Sequence, residues 1–144
     1  MNHVKILLVE DNEGDIILTK EALKEGKLKN EIVVARDGEA ALELLANTAV
    51  LPDLILLDIN LPKLNGLEVL AAIKKDDRLK MIPVIMLSTS SAEKDIITSY
   101  NSHANCFITK PVDLTSFIDV IRSIEDFWIS IVKLPKKKLN TVEL

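Results

Sequence analysis

The sequence is poor in the residue types that several classes of protein require. A single cysteine, Cys106, among 144 residues excludes an internal disulfide, and the apolar run around it favours a reduced, packed thiol. Only four glycines are present, and none forms a glycine-rich nucleotide-binding loop. The two histidines, His3 and His103, have no third ligand candidate placed near them for a transition metal. A disulfide-bonded domain is therefore excluded, and nothing supports a nucleotide loop or a transition-metal centre.

Basic residues and long apolar runs are also scarce. Eighteen Lys and Arg stand against 22 Asp and Glu, which gives a net charge of -4 and no basic face for a nucleic acid. The one dense basic run, Lys136–Lys138, lies in a polar C-terminal tail, where solvated lysines are common. No apolar stretch approaches the roughly 20 residues that span a bilayer, and the start lacks an apolar signal region. We expect a cytoplasmic protein that binds neither nucleic acid nor membrane.

The residues that are present alternate between strand-like and helix-like segments. The hydrophobic fraction of 48% and the length are those of one folded domain with a sizeable core. Strands are predicted at Val4–Val9, Ile32–Ala35, Leu54–Leu57, Val84–Leu87 and Cys106–Thr109. Helices are predicted to begin near Glu13, Glu39, Leu67, Ala92 and Leu114. Because the strands are continuously apolar and separated by helices, we expect a doubly wound α/β fold with a parallel sheet covered on both faces.

Chemically reactive residues follow four of the predicted strands. Glu10 and Asp11 follow VKILLV, Asp58 follows DLILL, Ser88 follows PVIML, and Lys110 follows CFIT. A doubly wound sheet binds its ligand outside the carboxyl ends of its strands. These residues are therefore predicted to meet at one edge of the sheet.

The acidic residues at this edge predict a magnesium site. Three carboxylates that converge repel one another unless a cation lies among them. Magnesium prefers oxygen ligands and usually takes one or two carboxylates together with substrate phosphate oxygens. Glu10, Asp11 and Asp58 are the candidate ligands, and the backbone carbonyl of Asn60 could complete the set. The alternative for Glu10 and Asp11 alone is a cap at the start of a helix.

Asp58 is the candidate nucleophile. A carboxylate can attack phosphorus and form an aspartyl phosphate if the metal and other cations neutralise the charge that develops. Lys110, followed by Pro111, is placed to supply a cation, and the Ser88 hydroxyl can hydrogen-bond a phosphoryl oxygen. Taken singly, a lysine before a proline suggests a loop and a serine suggests the end of a strand, so the inference depends on their combination.

Four blocks of sequence resemble the receiver domain of bacterial two-component response regulators. They are LLVEDN, PDLILLDINLPKLNGLEVL, IPVIMLST and FITKP, in register over about residues 4–125. The resemblance implies a five-stranded parallel sheet in the flavodoxin-like order 2-1-3-4-5. It implies a phosphoryl group passed from a histidine kinase to Asp58. The remaining roles it implies are Mg²⁺ ligation by Glu10, Asp11, Asp58 and the Asn60 carbonyl, switching by Ser88 and Phe107, and phosphoryl binding by Lys110.

The chain departs from the common pattern of that family at several of these positions. Glu10 and Ser88 replace the commoner aspartate and threonine, and both replacements conserve the chemistry. Thr89 stands where alanine or glycine is frequent and is expected to restrict small phosphodonors. Phe107 replaces the frequent tyrosine, which removes a phenolic hydroxyl.

The C-terminal part has more apolar surface than a helix facing only its own sheet requires. Phe127-Trp128 at the end of the last helix, followed by Val132-Lys133-Leu134-Pro135, resembles the tails of response regulators associated with phytochromes and hybrid histidine kinases. That resemblance implies a histidine or hybrid kinase partner of phytochrome type, and a homodimer formed through the fourth helix, the fifth strand and the last helix. We expect a receiver domain over residues 1–130 and a tail over residues 131–144, folded back or at a dimer interface.

Two other functions remain open from the residues. A receiver-like interaction module could keep the fold and signal without phosphorylation, although mutually repelling carboxylates would then serve no purpose. A metal-dependent phosphatase with an aspartyl nucleophile would usually carry a second aspartate at position 60, where this chain has Asn60. We expect a phosphoacceptor signalling protein rather than an enzyme that turns over an external substrate.

Overall fold

A computed structural model describes residues 3–25, 29–88, 103–104 and 106–109, and the single positions 98, 101, 115, 118, 119, 122, 123 and 126. The strands are β1 (His3–Val9), β2 (Lys29–Ala35), β3 (Leu54–Asp58), β4 (Val84–Ser88) and β5 (Cys106–Thr109). The helices are α1 (Glu13–Lys24), α2 (Gly38–Asn47) and α3 (Gly66–Lys75). Among these residues no helix is both long and apolar enough to cross a bilayer.

The five strands form one parallel sheet in the order β2-β1-β3-β4-β5, which confirms the predicted fold. β3 and β4 are buried along their whole length, as expected for strands covered on both faces. The site residues Asp58 and Ser88 are themselves the last residues of these strands. Their backbones are therefore held by the sheet.

The sheet separates two hydrophobic cores. On one face, α2 and α3 contribute residues such as Leu45 and Leu70 to a cluster with Leu57 and Met86. On the other face, α1 contributes Ile16 and Leu23, and Ile118 of the last helix packs against the same cluster. Helices therefore cover both faces, and the last helix shares a face with α1.

Side-chain caps define the starts of the three described helices. Asn12, Asp37 and Asn65 each accept a hydrogen bond from a backbone amide three residues on, at 2.9, 2.7 and 3.0 Å. α2 and α3 begin one residue earlier than predicted because Gly38 and Gly66 already have helical backbone after these caps.

Strand β2 starts earlier than its sequence predicts. It begins at Lys29 rather than Ile32, and Lys29, Asn30 and Glu31 pair with the start of β1. β2 is an edge strand, so the polar residues at its start do not need to be buried.

The two helices predicted in the C-terminal part are described only at some positions. The helix predicted from Ala92 falls largely outside the described residues, although Thr98 and Asn101 are helical. In the last helix, positions 115–126 are helical wherever they are described.

Candidate functional site

The carboxyl edge of the sheet brings three of the predicted acidic residues together. Glu10 and Asp11 follow β1, and Asp58 ends β3, the strand paired with β1. One carboxylate oxygen from each of Glu10, Asp11 and Asp58 lies within 4.8 Å of the other two. The structure therefore places these three side chains as the sequence predicts.

The three carboxylates differ in their exposure. Glu10 is 1% exposed and Asp58 is 5% exposed, whereas Asp11 faces solvent. Burying a carboxylate is costly unless hydrogen bonds or an opposite charge compensate it. Two nearly buried acids beside a third, solvent-facing one form a negatively charged pocket that is open on one side, and a cation entering from that side would reduce the repulsion.

Backbone amides orient both buried carboxylates. The amide of Asn12 donates to Glu10 Oε2 at 3.3 Å, and the amide of Asn60 donates to Asp58 Oδ1 at 3.4 Å. In each case the donor lies two residues beyond the acid, where the chain has just left its strand. These bonds are long and individually weak.

Backbone hydrogen bonds anchor both ends of the loop between β3 and α3, residues 59–65. The Ile59 amide donates to Leu87 O at 3.2 Å, and the Gly66 amide donates back to Ile59 O at 2.8 Å. Within the loop, Lys63 has a φ of 66°, a left-handed conformation that a residue other than glycine adopts at some cost. Its ammonium lies 3.7 Å from the carboxylate of Asp37, the cap of α2. Asn60, the predicted carbonyl ligand, therefore lies in a loop fixed at both ends.

Glycine is required at the first position of both α2 and α3. A Cβ at Gly66 would overlap the carbonyl oxygen of Asp58, and a Cβ at Gly38 would overlap that of Leu64. The first residues of α2 and α3 therefore contact the two ends of the loop that follows Asp58. This role was not predicted from the sequence, although Asp37-Gly38 and Asn65-Gly66 are dipeptides typical of turns.

Ser88 and Phe107 occupy neighbouring strands. Ser88 is fully buried at the end of β4 and lies opposite Thr109 of β5 in the strand register. Phe107 is opposite Met86 and packs, partly exposed, against the core on the α2 and α3 face. The two predicted switch residues are therefore connected through adjacent strands. Lys110, the predicted phosphoryl partner, lies outside the described residues, one position beyond Thr109.

Two surface ion pairs connect the elements around the carboxyl edge of the sheet. Arg36, which follows β2, pairs with Glu13 in the first turn of α1. The next residue, Asp37, pairs with Lys63. The turn between β2 and α2 thus connects the start of α1 to the loop after Asp58. Side-chain pairs of this kind depend on the register of distant strands, so the sequence alone did not reveal them.

Comparison with known proteins identifies the class. The model of the response regulator receiver domain matches residues 6–122, and this chain belongs to that family. It is similar to the response regulator Rcp1 of Synechocystis sp., with 45% identity over 135 residues that cover 90% of this chain and 92% of Rcp1.

Solved structures agree with this assignment. The phosphorylated cyanobacterial phytochrome response regulator RcpA is 51% identical, with a TM-score of 0.86, and the match covers 92% of this chain and 99% of RcpA. The Mn²⁺-bound form of Rcp1 is 44% identical with a TM-score of 0.84, and it is covered to the same extents. This chain is therefore a receiver domain similar to response regulators associated with phytochromes.

Proposed function

We propose that this protein is a phosphorylation switch in which Asp58 accepts a phosphoryl group from a phosphohistidine of a histidine kinase or hybrid kinase. The observation that carries the proposal is the convergence of the Glu10, Asp11 and Asp58 carboxylates at the carboxyl edge of the sheet. A phosphoryl group is anionic and cannot approach three carboxylates unless their charge is compensated. The site therefore suits a divalent cation and a phosphoryl group together.

The residues fit Mg²⁺. Glu10, Asp11, Asp58 and the Asn60 carbonyl would hold it, and all four offer the hard oxygen ligands that Mg²⁺ prefers. One carboxylate oxygen from each of Glu10, Asp11 and Asp58 lies within 4.8 Å of the other two, so the three side chains could contact a single cation. When bound, the cation would neutralise charge on the phosphoryl oxygens during transfer.

Asp58 would act as the nucleophile. One of its carboxylate oxygens attacks phosphorus, the bond between phosphorus and the donor histidine nitrogen breaks, and the imidazole keeps the electron pair. Because Asp58 is only 5% exposed, a phosphodonor can reach its carboxylate only through that exposed part. Lys110 would then neutralise a phosphoryl oxygen, and the Ser88 hydroxyl would donate a hydrogen bond to another.

The conformational change caused by phosphorylation would be transmitted through β5. By analogy with phosphorylated hydroxyl residues, the phosphoryl group adds roughly 1.5 to 2 negative charges. It would draw in the Ser88 hydroxyl and open space for Phe107, which is partly exposed before the change. We propose that the altered face, formed by the fourth helix, β5 and the last helix, mediates homodimerisation within a receiver domain of residues 1–130.

A phytochrome-type kinase is the partner that the relatives favour. RcpA is described as a cyanobacterial phytochrome response regulator, and this chain is 51% identical to it. The test is phosphoryl transfer from a phosphorylated phytochrome-type histidine kinase to the full-length protein with Mg²⁺. We expect transfer to the wild type and none to Asp58→Asn. Absence of transfer to both proteins would favour the phosphorylation-independent module, and turnover of general phosphoesters would favour a phosphatase.

A further inference from the structure

Lys63, in the loop that follows Asp58, combines a costly backbone conformation with an ion pair. Its φ of 66° lies in the left-handed region, which a lysine adopts at some cost. Its ammonium lies 3.7 Å from Asp37 Oδ2, and the Asp37 side chain is only 21% exposed, so solvent screens this pair less than a fully exposed one. The attraction between the two charges therefore stabilises a conformation that a lysine by itself disfavours.

The loop closes on a single backbone atom. Ile59 O accepts hydrogen bonds from the Leu61 amide at 3.1 Å and from the Gly66 amide at 2.8 Å. Each residue has only two soft backbone dihedral angles, φ and ψ. Because both ends of the chain from Leu61 to Gly66 are bound to one acceptor, a change of φ at Lys63 has to be compensated by rotations at other residues of the loop.

Most residues of the loop are not free to make that compensation. The ring of Pro62 fixes its φ, and its carbonyl accepts a hydrogen bond from the Leu64 amide at 2.7 Å. Leu64 lies against Gly38, where a Cβ would come within 2.1 Å of Leu64 O. Asn65 caps α3 and forms a reciprocal capping box with Glu68. The second half of the loop is therefore fixed by its contacts.

The compensating rotation falls on Asn60 and Leu61. Leu61 packs, partly buried, against the core on the α2 and α3 face, whereas Asn60 is exposed and has more room to rotate. We propose that Lys63 is a positioning residue for the metal site: its ion pair with Asp37 stabilises the loop conformation in which the Asn60 carbonyl ligates Mg²⁺. This role rests on the proposed function, in which that carbonyl completes the ligand set.

The sign of the effect on Mg²⁺ binding separates positioning from direct electrostatics. An ammonium near a cation site repels the cation, so its removal would strengthen Mg²⁺ binding if charge alone acted. We expect Lys63→Met instead to bind Mg²⁺ about threefold more weakly than the wild type, which is within the range that a partly exposed ion pair can supply. The measurement is calorimetric titration of the full-length protein with MgCl₂ at constant ionic strength. An affinity equal to or above that of the wild type would overturn the proposal.

Asp37→Asn tests the other partner of the pair. Asparagine caps a helix as well as aspartate does, so the hydrogen bond from the Ala40 amide is kept while the charge is removed. We expect Mg²⁺ binding about threefold weaker again, and no further loss in Asp37→Asn/Lys63→Met, because the two residues act through one contact. Separate losses that multiply to about ninefold in the double variant would contradict a shared role.

Lys63→Asn separates the conformation of the loop from the charge. Asparagine also lacks the ammonium, but it tolerates the left-handed region better than methionine, so we expect it to recover most of the affinity that Lys63→Met loses. The matched control is Arg36→Gln, which breaks the neighbouring ion pair with Glu13 of α1 and should bind Mg²⁺ no more weakly than the wild type. Equal losses in Lys63→Met and Lys63→Asn, or an equal loss in Arg36→Gln, would overturn the proposal.

Hydrogen exchange of the metal-free protein reports on the loop without Mg²⁺. We expect the Leu64 amide, which donates to Pro62 O, to exchange faster in Lys63→Met and Asp37→Asn than in the wild type and in Arg36→Gln. Unchanged exchange in both loop variants would overturn the proposal. If the wild type bound no Mg²⁺, the proposed function would fail and this role with it, whereas wild-type binding that both variants retain in full would overturn this role alone.

Discussion

Gly66, the first residue of α3, lies directly against the backbone of Asp58. Its amide donates to Ile59 O at 2.8 Å, and any Cβ at this position would overlap the Asp58 carbonyl oxygen. The start of α3 thereby sets the position of the chain as it leaves β3. The geometry of the candidate nucleophile depends on a residue eight positions away that has no chemistry of its own.

Gly66→Ala should therefore impair both stability and phosphorylation. The methyl group forces β3 and α3 apart, and such overpacking typically costs about 1–3 kcal/mol in the free energy of unfolding. We expect lower stability in urea and slower phosphoryl transfer to Asp58. The control is Gly14→Ala in α1, where a Cβ meets only the end of the Asn12 side chain at 3.2 Å. Equal effects of the two substitutions would show that the contact with Asp58 is unimportant.

Glu10→Gln should have opposite effects on the metal-free and the metal-bound protein. It removes one of three mutually repelling charges at a position that is 1% exposed, so the metal-free protein should melt at a higher temperature. The same change removes a charged metal ligand, so affinity for Mg²⁺ should fall by at least the roughly 10- to 100-fold that the loss of an outer-sphere partner typically costs.

Thermal melts with and without Mg²⁺ measure both effects of Glu10→Gln, because a ligand that binds the folded state raises its melting temperature. Glu13→Gln is the control: its carboxylate is exposed and pairs with Arg36 rather than with the acidic cluster. A wild-type shift on adding Mg²⁺ that survives in Glu10→Gln would remove Glu10 from the metal site.

Ser88→Ala should separate phosphorylation from the switch. The hydroxyl is fully buried at the end of β4, so alanine fits the space while removing the donor. We expect Asp58 still to be phosphorylated but the ring of Phe107 to keep its unphosphorylated environment, as followed by ¹⁹F NMR of fluorophenylalanine-labelled protein. Phe107→Leu assigns the resonance, and Thr109→Ala, exposed on the neighbouring strand, is the control. A normal Phe107 response in Ser88→Ala would contradict the proposed route.

Lys74, near the end of α3, provides a test of pH dependence. Its ammonium donates to Lys80 O at 3.0 Å and to Ile82 O at 2.7 Å, which ties α3 to the loop before β4. Desolvation by burial lowers the pKa of Lys74 below its ordinary value. The unfolded chain then binds more protons in the interval between the two pKa values, so the contribution of Lys74 to stability rises with pH there.

The unfolding free energy of the wild type minus that of Lys74→Met should accordingly increase as the pH is raised from about 7 towards the ordinary lysine pKa of about 10.4. Chemical denaturation at matched pH values measures it. Lys75→Met, exposed at the next position, controls for the loss of a lysine from this helix. If that difference falls with rising pH, the folded protein favours the charged form of Lys74, which would contradict a lowered pKa.

The strands of the sheet could be predicted from the sequence because the patterns that indicate them are local. Apolar runs that alternate with helix-like segments predicted all five strands, and parallel pairing then placed Glu10, Asp11 and Asp58 at one edge. The early start of β2 was not predicted. Polar residues such as Lys29 and Asn30 fit an edge strand, but which strand lies at the edge depends on the strand order, a property of the whole chain.

The parts of the site that could not be predicted depend on distances across the chain. The fit of Gly66 against Asp58 follows from the packing of α3 on β3. The ion pair between Asp37 and Lys63 follows from the packing of α2 beside the loop. No periodicity or motif encodes either contact, since each joins elements whose spacing is set by the hydrophobic core.

The most direct test of the account is to locate the acyl phosphate. The full-length protein is phosphorylated by a histidine kinase with Mg²⁺ and reduced with borohydride, which converts a phosphorylated aspartate to homoserine, and its peptides are analysed by mass spectrometry. We expect homoserine at position 58 alone, dependent on Mg²⁺. Homoserine at position 11, or phosphorylation that persists in Asp58→Asn, would contradict it.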